Sequence, residues 1–172
     1  MKPEIFSLSQ IQWQLFASFT FKSEKLTDAV RTRMYFALLR TQAKNFGVHF
    51  KHTIWCLRSE CGEATGRKHL HALIAGFPKH AATKATCFSF MKIWEKLGGG
   101  MARVTLYSPL LDGVSYVLKG SEAEYARAAG DAYETRKFGG NCDVMLSESI
   151  FRVLAGRRQI GKRRRQGQRQ AE

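Results

Sequence analysis

The chain has 172 residues, 44% hydrophobic and 12% aromatic, enough for one domain with a packed core plus a tail and too few for a second large domain such as a helicase. Its formal net charge is +14, and although eight of the 28 Lys/Arg lie from Arg152 onward against one acid, Glu172, the body before them is basic too, which fits a polyanionic partner. No apolar run has the length of a membrane span, Met1-Lys2-Pro3-Glu4 opens no secretory signal, and Cys56, Cys61, Cys87 and Cys142 form no CxxC pair, so a membrane protein, a disulfide-built secreted domain and a zinc knuckle are not expected. The expected location is the cytoplasm, or the nucleus in a host that has one.

Leu15 to Lys22 alternates as a strand, with Phe16, Ser18 and Thr20 on one face and Ala17, Phe19 and Phe21 on the other. Leu26 to Phe46 reads as a helix with Leu26, Val30, Met34, Ala37 and Leu38 at helical spacing and Gly47 as its stop. Val48 to Arg58 is predicted as a second strand and Lys68 to Ala75 as a third, joined as a hairpin through the polar loop Glu60 to Arg67. Thr83 to Leu97 is a second helix whose apolar stripe, Phe88, Met91, Trp94 and Leu97, is expected in the core, with Gly98-Gly99-Gly100 closing it. Met101 to Tyr107 is a fourth strand. Asp112 is placed to cap a short helix running to Lys119, with Gly120 after it. Ser121 to Ser147 gives no clear pattern, and Leu146 to Ala155 is predicted as a last helix. The expected division is a domain over 1–156 and a basic, disordered tail over 157–172, suited to tracking a DNA backbone or to nuclear import. Alternating strands and helices with a hairpin imply an α+β sandwich, ferredoxin-like or RRM-like, with a central antiparallel sheet flanked by helices. That architecture hosts many functions, so the site must decide.

The sharpest chemical feature is His69-Leu70-His71 within the third strand. Residues two apart in a strand point to one face, so both imidazoles can reach one ion. Two nitrogens with a carboxylate suit Mg²⁺ or Mn²⁺ with positions left open for substrate oxygens. Alone, such a pair is better described as two surface histidines. Glu60, brought back beside the strand by the hairpin, adds the missing carboxylate, and Glu63 in the loop is the second choice. Tyr116 and Lys119, three apart on the short helix, share a face. A free tyrosine is a poor nucleophile at its usual pKa, and a nearby cation with a metal-polarised phosphate makes its attack feasible. Without those neighbours the pair describes an amphipathic helix with a snorkelling lysine.

In order, the strand Phe16 to Phe21, Glu60, His69-Leu70-His71 and Tyr116-x-x-Lys119 resemble the three successive motifs of single-tyrosine HUH endonucleases, the replication initiator (Rep) proteins of rolling-circle plasmids, phages and small circular single-stranded DNA viruses. The resemblance covers roughly Phe16 to Gly120. It implies Mg²⁺ or Mn²⁺ held by His69, His71 and Glu60, and Tyr116 attacking a phosphate to leave a 5′-phosphotyrosine link and a free 3′-OH. It implies Lys119 orienting the phosphate or supporting the charge, and single-stranded DNA at an origin stem-loop as the substrate. A host polymerase and a separate helicase would be the partners. Candidate phosphate contacts are Arg58, Arg67, Lys68 and Arg103, and Trp13, Phe16 and Tyr107 are candidate stacking platforms. His52 is placed in a strand that could line the groove. Two alternatives stand beside this reading: a non-catalytic RRM-like nucleic-acid-binding module, and a single-tyrosine transposase, whose motif is similar to Tyr-x-x-x-Gln where this chain has Gly120.

Overall fold

The chain folds as β1 (Leu15–Phe21), α1 (Asp28–Asn45), β2 (Ile54–Cys61), β3 (Lys68–Ala75), α2 (Lys84–Lys96), β4 (Gly99–Leu106), α3 (Gly113–Leu118), β5 (Lys137–Phe138) and β6 (Asp143–Leu146), in a computed structural model that describes residues 8–62, 66–118, 137–138 and 143–154. The sheet order is β4-β1-β3-β2-β6-β5, and every pairing in it is antiparallel. Its first four strands and two helices trace a β-α-β-β-α-β course in the spatial order β4-β1-β3-β2. This is an α+β ferredoxin-like sandwich, and β6 and β5 extend it beyond β2. No helix among the described residues is long and apolar enough to cross a membrane.

Alternation in β1 sends Leu15, Ala17 and Phe19 into the helix-side core, where they meet Leu57, Leu70, Ala72 and Ile74 of the sheet and Tyr35, Leu38, Phe90 and Trp94 of the helices. Each large side chain buried there contributes roughly 1.5–3 kcal/mol. Thr27 caps α1 through Val30 N, and Thr83 caps α2 through Thr86 N. The buried face of each helix differs in part from the one its apolar residues predict, although Leu38 and Trp94 are in the core and Met34, Met91 and Leu97 pack against it. The buried face of α1 is Arg31, Tyr35, Leu38, Leu39, Gln42 and Ala43, because its two polar members find internal partners. Arg31 donates to Asp28 and to the Glu24 carbonyl, and Gln42 donates to Ser89. In α2 the buried positions are Thr86, Cys87, Phe90 and Trp94, and Phe88, expected in the core, is 61% exposed.

Two boundaries also move. The stretch expected to open β2 is a 3₁₀ turn, Phe50–His52, stabilised by the His49 ring accepting from Lys51 N, so His52 is outside the strand and β2 runs on to Cys61. Leu146 ends β6 instead of starting a helix, and the helical segment spans 148–154. Ser147 locks that corner by bonding both backbone groups of Trp55.

Gly98, at φ +83°, ends α2, and Gly99 and Gly100 begin β4. The Trp94 indole, which donates to the Thr20 carbonyl at 2.9 Å, lies so close to Gly99 that a Cβ there would clash with its ring. Gly99→Ala is therefore expected to destabilise the fold by about 2 kcal/mol through overpacking. The urea unfolding midpoint reads this, and an unchanged midpoint would mean that the indole yields freely.

Among the described residues, the second face of the sheet is covered at one end. Leu8, Ile11 and Trp13, the α3 residues Val114, Val117 and Leu118, and Ile150 close over Cys56, Leu73, Val144 and Leu146. The other end of that face carries the polar side chains described next.

Candidate metal centre and tyrosine site

In β3, Leu70 enters the helix-side core, and His69 and His71 take the opposite face. The register of the sheet fixes their neighbours. Glu60 lies opposite His69 and Arg58 opposite His71 on β2, while Thr20 and Ser18 are their partners on β1. Six side chains from three strands therefore share one surface.

Glu60 Oε1 lies 2.7 Å from His69 Nε2 and 2.8 Å from His71 Nε2. These ligand atoms fall within 4.8 Å of one another, so the trio could hold a metal ion. The hydrogen-bond logic supports that fit. His69 Nδ1 faces the Arg67 carbonyl at 3.2 Å, and a carbonyl only accepts, so Nδ1 carries a hydrogen and the ring turns Nε2 toward Glu60. Ser18 Oγ lies 2.8 Å from His71 Nδ1, and with Nδ1 donating to it the second ring does the same. On each ring Nε2 is then the atom that meets Glu60, through a proton when no metal is bound and as a ligand when one is. Ligands about 2.1 Å from a small cation and at right angles sit about 3 Å apart, close to the spacing found here. Glu63, the other acid considered from the sequence, lies outside the described residues.

Burial presses the His71 imidazole below the usual histidine value of 6.5, with the neighbouring His69 adding to the effect and Glu60 opposing it. Burial pushes the Glu60 carboxyl up, but the hydrogen bond to His69 and the charges of Arg58 and His71 outweigh it, and the group titrates below its ordinary value of 4.5. Both shifts favour the ligand forms, a neutral imidazole and a carboxylate. The sign for stability is the same for each. Unfolded chains bind these protons more readily, so the metal-free protein loses stability as pH falls from the ordinary histidine value toward the lower folded one, and again as Glu60 is protonated. Urea titrations at stepped pH are expected to show a falling midpoint below about pH 6.5. A wild-type slope that persists in a double variant, His71→Ala with Glu60→Gln, would assign the effect elsewhere.

Asp112, in the left-handed region at φ 45°, caps α3 by accepting from Ser115 N at 3.3 Å. Val114, Val117 and Leu118 anchor the helix on the sheet, which leaves Tyr116 46% exposed. Its ring stands edge-on to His71, with centroids 4.9 Å apart, and edge-on to Phe16 at 5.9 Å. Phe16 in turn stacks on His71 at 6.2 Å. Tyr116 is thus a direct neighbour of the trio that could hold a metal ion, although it stands 45 positions after His71 in the chain. Lys119, Tyr125 and the basic tail over 157–172 lie outside the described residues.

The four candidate phosphate contacts separate. Arg58 is buried and joins Glu60 through an ion pair with Oε2. Arg67 pairs with Glu24 at 2.8 Å, and Lys68, on the helix side of β3, pairs with Asp28 at 3.5 Å. Arg103 is exposed on β4 opposite Ser18, on the face that carries His71. Of the aromatic platforms, Trp13 is buried with its indole donating to the Leu8 carbonyl, Phe16 is half-buried against the site, and Tyr107 is half-buried nearer the capped end. Ser18 is the residue that sequence reasoning passed over. Alternation placed it on the right face, but only the β1–β3 register sets it under His71. No family model, curated protein or solved structure matches the chain, so its residues and their geometry carry the functional reading.

Proposed function

We propose that the chain is a metal-dependent single-strand DNA nickase and joining enzyme of the HUH type, acting as a rolling-circle replication initiator. The observation that carries this reading is the Tyr116 ring set edge-on against His71, within a trio whose donors suit a small divalent cation. A partly exposed phenol beside two imidazoles and a carboxylate is what attack on a metal-bound phosphodiester requires. Mg²⁺ or Mn²⁺ held by His69, His71 and Glu60 would neutralise charge on the scissile phosphate.

The chain's own residues do the rest. The Tyr116 oxygen gives up its proton and bonds to phosphorus as the bond from phosphorus to the 3′-oxygen breaks, and that oxygen takes up a proton to leave a free 3′-OH. The DNA 5′ end stays on Tyr116 as a phosphodiester. A returning 3′-OH reverses the exchange, so joining consumes no ATP. Ser18 and the Arg67 carbonyl hold the two imidazoles in the ligand tautomer. Arg103 stands on the same face to meet the DNA backbone, and Lys119 is assigned the charge-supporting role by its spacing from Tyr116. An origin stem-loop with an exposed strand is the proposed substrate, with a polymerase and a separate helicase as partners.

The test uses pooled stem-loop oligonucleotides with Mn²⁺, with and without EDTA, reading binding and cutting in one sample. Cutting that stops in EDTA is the expected result. Binding that survives EDTA with no cutting in Mn²⁺ would replace this proposal with a non-catalytic binding module. Joining confined to paired transposon ends would replace it with a transposase.

A further inference from the structure

A guanidinium is among the side chains least often buried, and when buried it is held by partners that use its fork. Arg58 is 7% exposed, on the middle of β2. One of its terminal nitrogens, Nη2, pairs with Glu60 Oε2, the carboxylate oxygen that does not face the histidines. The other, Nη1, donates to the Tyr116 backbone carbonyl at 2.8 Å. That carbonyl belongs to α3, whose described span is Gly113–Leu118.

We infer that Arg58 is a positioning residue that ties the carboxylate of the metal trio to the helix bearing Tyr116, and so sets the distance between the phenol and the metal centre. This rests on the metal-and-tyrosine reading above. Glu60 divides its oxygens, Oε1 to the imidazoles and Oε2 to Arg58, so the guanidinium fixes how the carboxylate is turned. Through the same plane it holds α3 at the Tyr116 carbonyl. A lysine at this position keeps the charge but has no planar fork to span both partners. The link therefore governs alignment more than metal affinity.

The test is nuclear magnetic resonance of ring-labelled tyrosines with Mn²⁺, on the full chain, with the Tyr116 signal assigned from Tyr116→Phe. Paramagnetic broadening reads the distance from the ion to the ring, and a role in folding alone would not move it. Wild type is expected to show strong broadening of Tyr116. Arg58→Lys and Arg58→Met are expected to bind Mn²⁺ within about tenfold of wild type, with Tyr116 broadening clearly reduced in both. The rate of adduct formation is expected to fall by about 100-fold, since a misplacement of about 1 Å is enough for that. The loss is expected in kcat and not in KM. If Arg58→Met does not fold, as thermal melting would show, Arg58→Lys carries the comparison. Unchanged broadening in the folded variants, or a wild-type kcat in Arg58→Lys, overturns the inference. A wild-type chain that binds no Mn²⁺ removes the metal centre and this inference together. A wild-type chain that binds Mn²⁺ and broadens Tyr116 but cuts no DNA removes the nickase reading, and the variants still decide the role of Arg58.

Discussion

Tyr116→Phe is expected to reduce covalent protein–DNA adduct by at least about 10³-fold, because the substitution removes the only atom proposed to attack phosphorus. The substitution is well suited to the question. Phenylalanine keeps the ring that meets His71 and Phe16 edge-on, so the packing of α3 on the sheet is preserved. Metal affinity and thermal stability are accordingly expected to match wild type. Quantifying the slow-migrating band on a denaturing gel, with Mn²⁺ titrated by calorimetry on the same preparation, separates lost chemistry from lost fold. An adduct that persists at wild-type yield would move the nucleophile to another residue.

Glu60→Ala is expected to produce two losses that can be read apart. The first is metal affinity, by at least about 100-fold, because the trio loses its one anionic ligand. The second is stability in EDTA, where no metal contributes. Arg58 then keeps its buried position without the carboxylate that pairs with it, at a cost of about 3 kcal/mol. Glu60→Gln distinguishes the two, since an amide oxygen still accepts from Arg58 but lacks the charge a cation needs. It is expected to recover much of the stability and little of the affinity. Calorimetry with Mn²⁺ and urea unfolding in EDTA give the two numbers. Wild-type Mn²⁺ affinity in Glu60→Ala would shift the carboxylate ligand to Glu63.

The legible parts of this molecule were those in which one periodicity decides. His69-Leu70-His71 lies in a strand because Leu70 and Ala72 are apolar on the alternate face, and the hairpin brings Glu60 opposite His69. Asp112 as a cap and Tyr116 on a short helix follow from cap chemistry. The helix faces were only partly legible from apolar spacing, because Arg31, Gln42 and Thr86 are buried alongside the apolar residues and Phe88 is left outside. β5 and β6 escaped notice because they are short and lack alternation. β6 is nonetheless paired with the middle of β2 around Arg58. The supporting parts of the site, Ser18 beneath His71 and Arg58 reaching from Glu60 to Tyr116, depend on the β1–β3 register and on how α3 docks on the sheet. Spacing within one segment carries no such information.

The central claim is that Tyr116 takes the DNA. Its most direct test is tandem mass spectrometry of the covalent complex formed with a cleaved stem-loop in Mn²⁺, after nuclease trimming and proteolysis. The expected result is a nucleotide remnant on Tyr116 through its phenolic oxygen. A remnant on Tyr107 or Tyr125, or cleaved DNA with no modified peptide, would contradict the account.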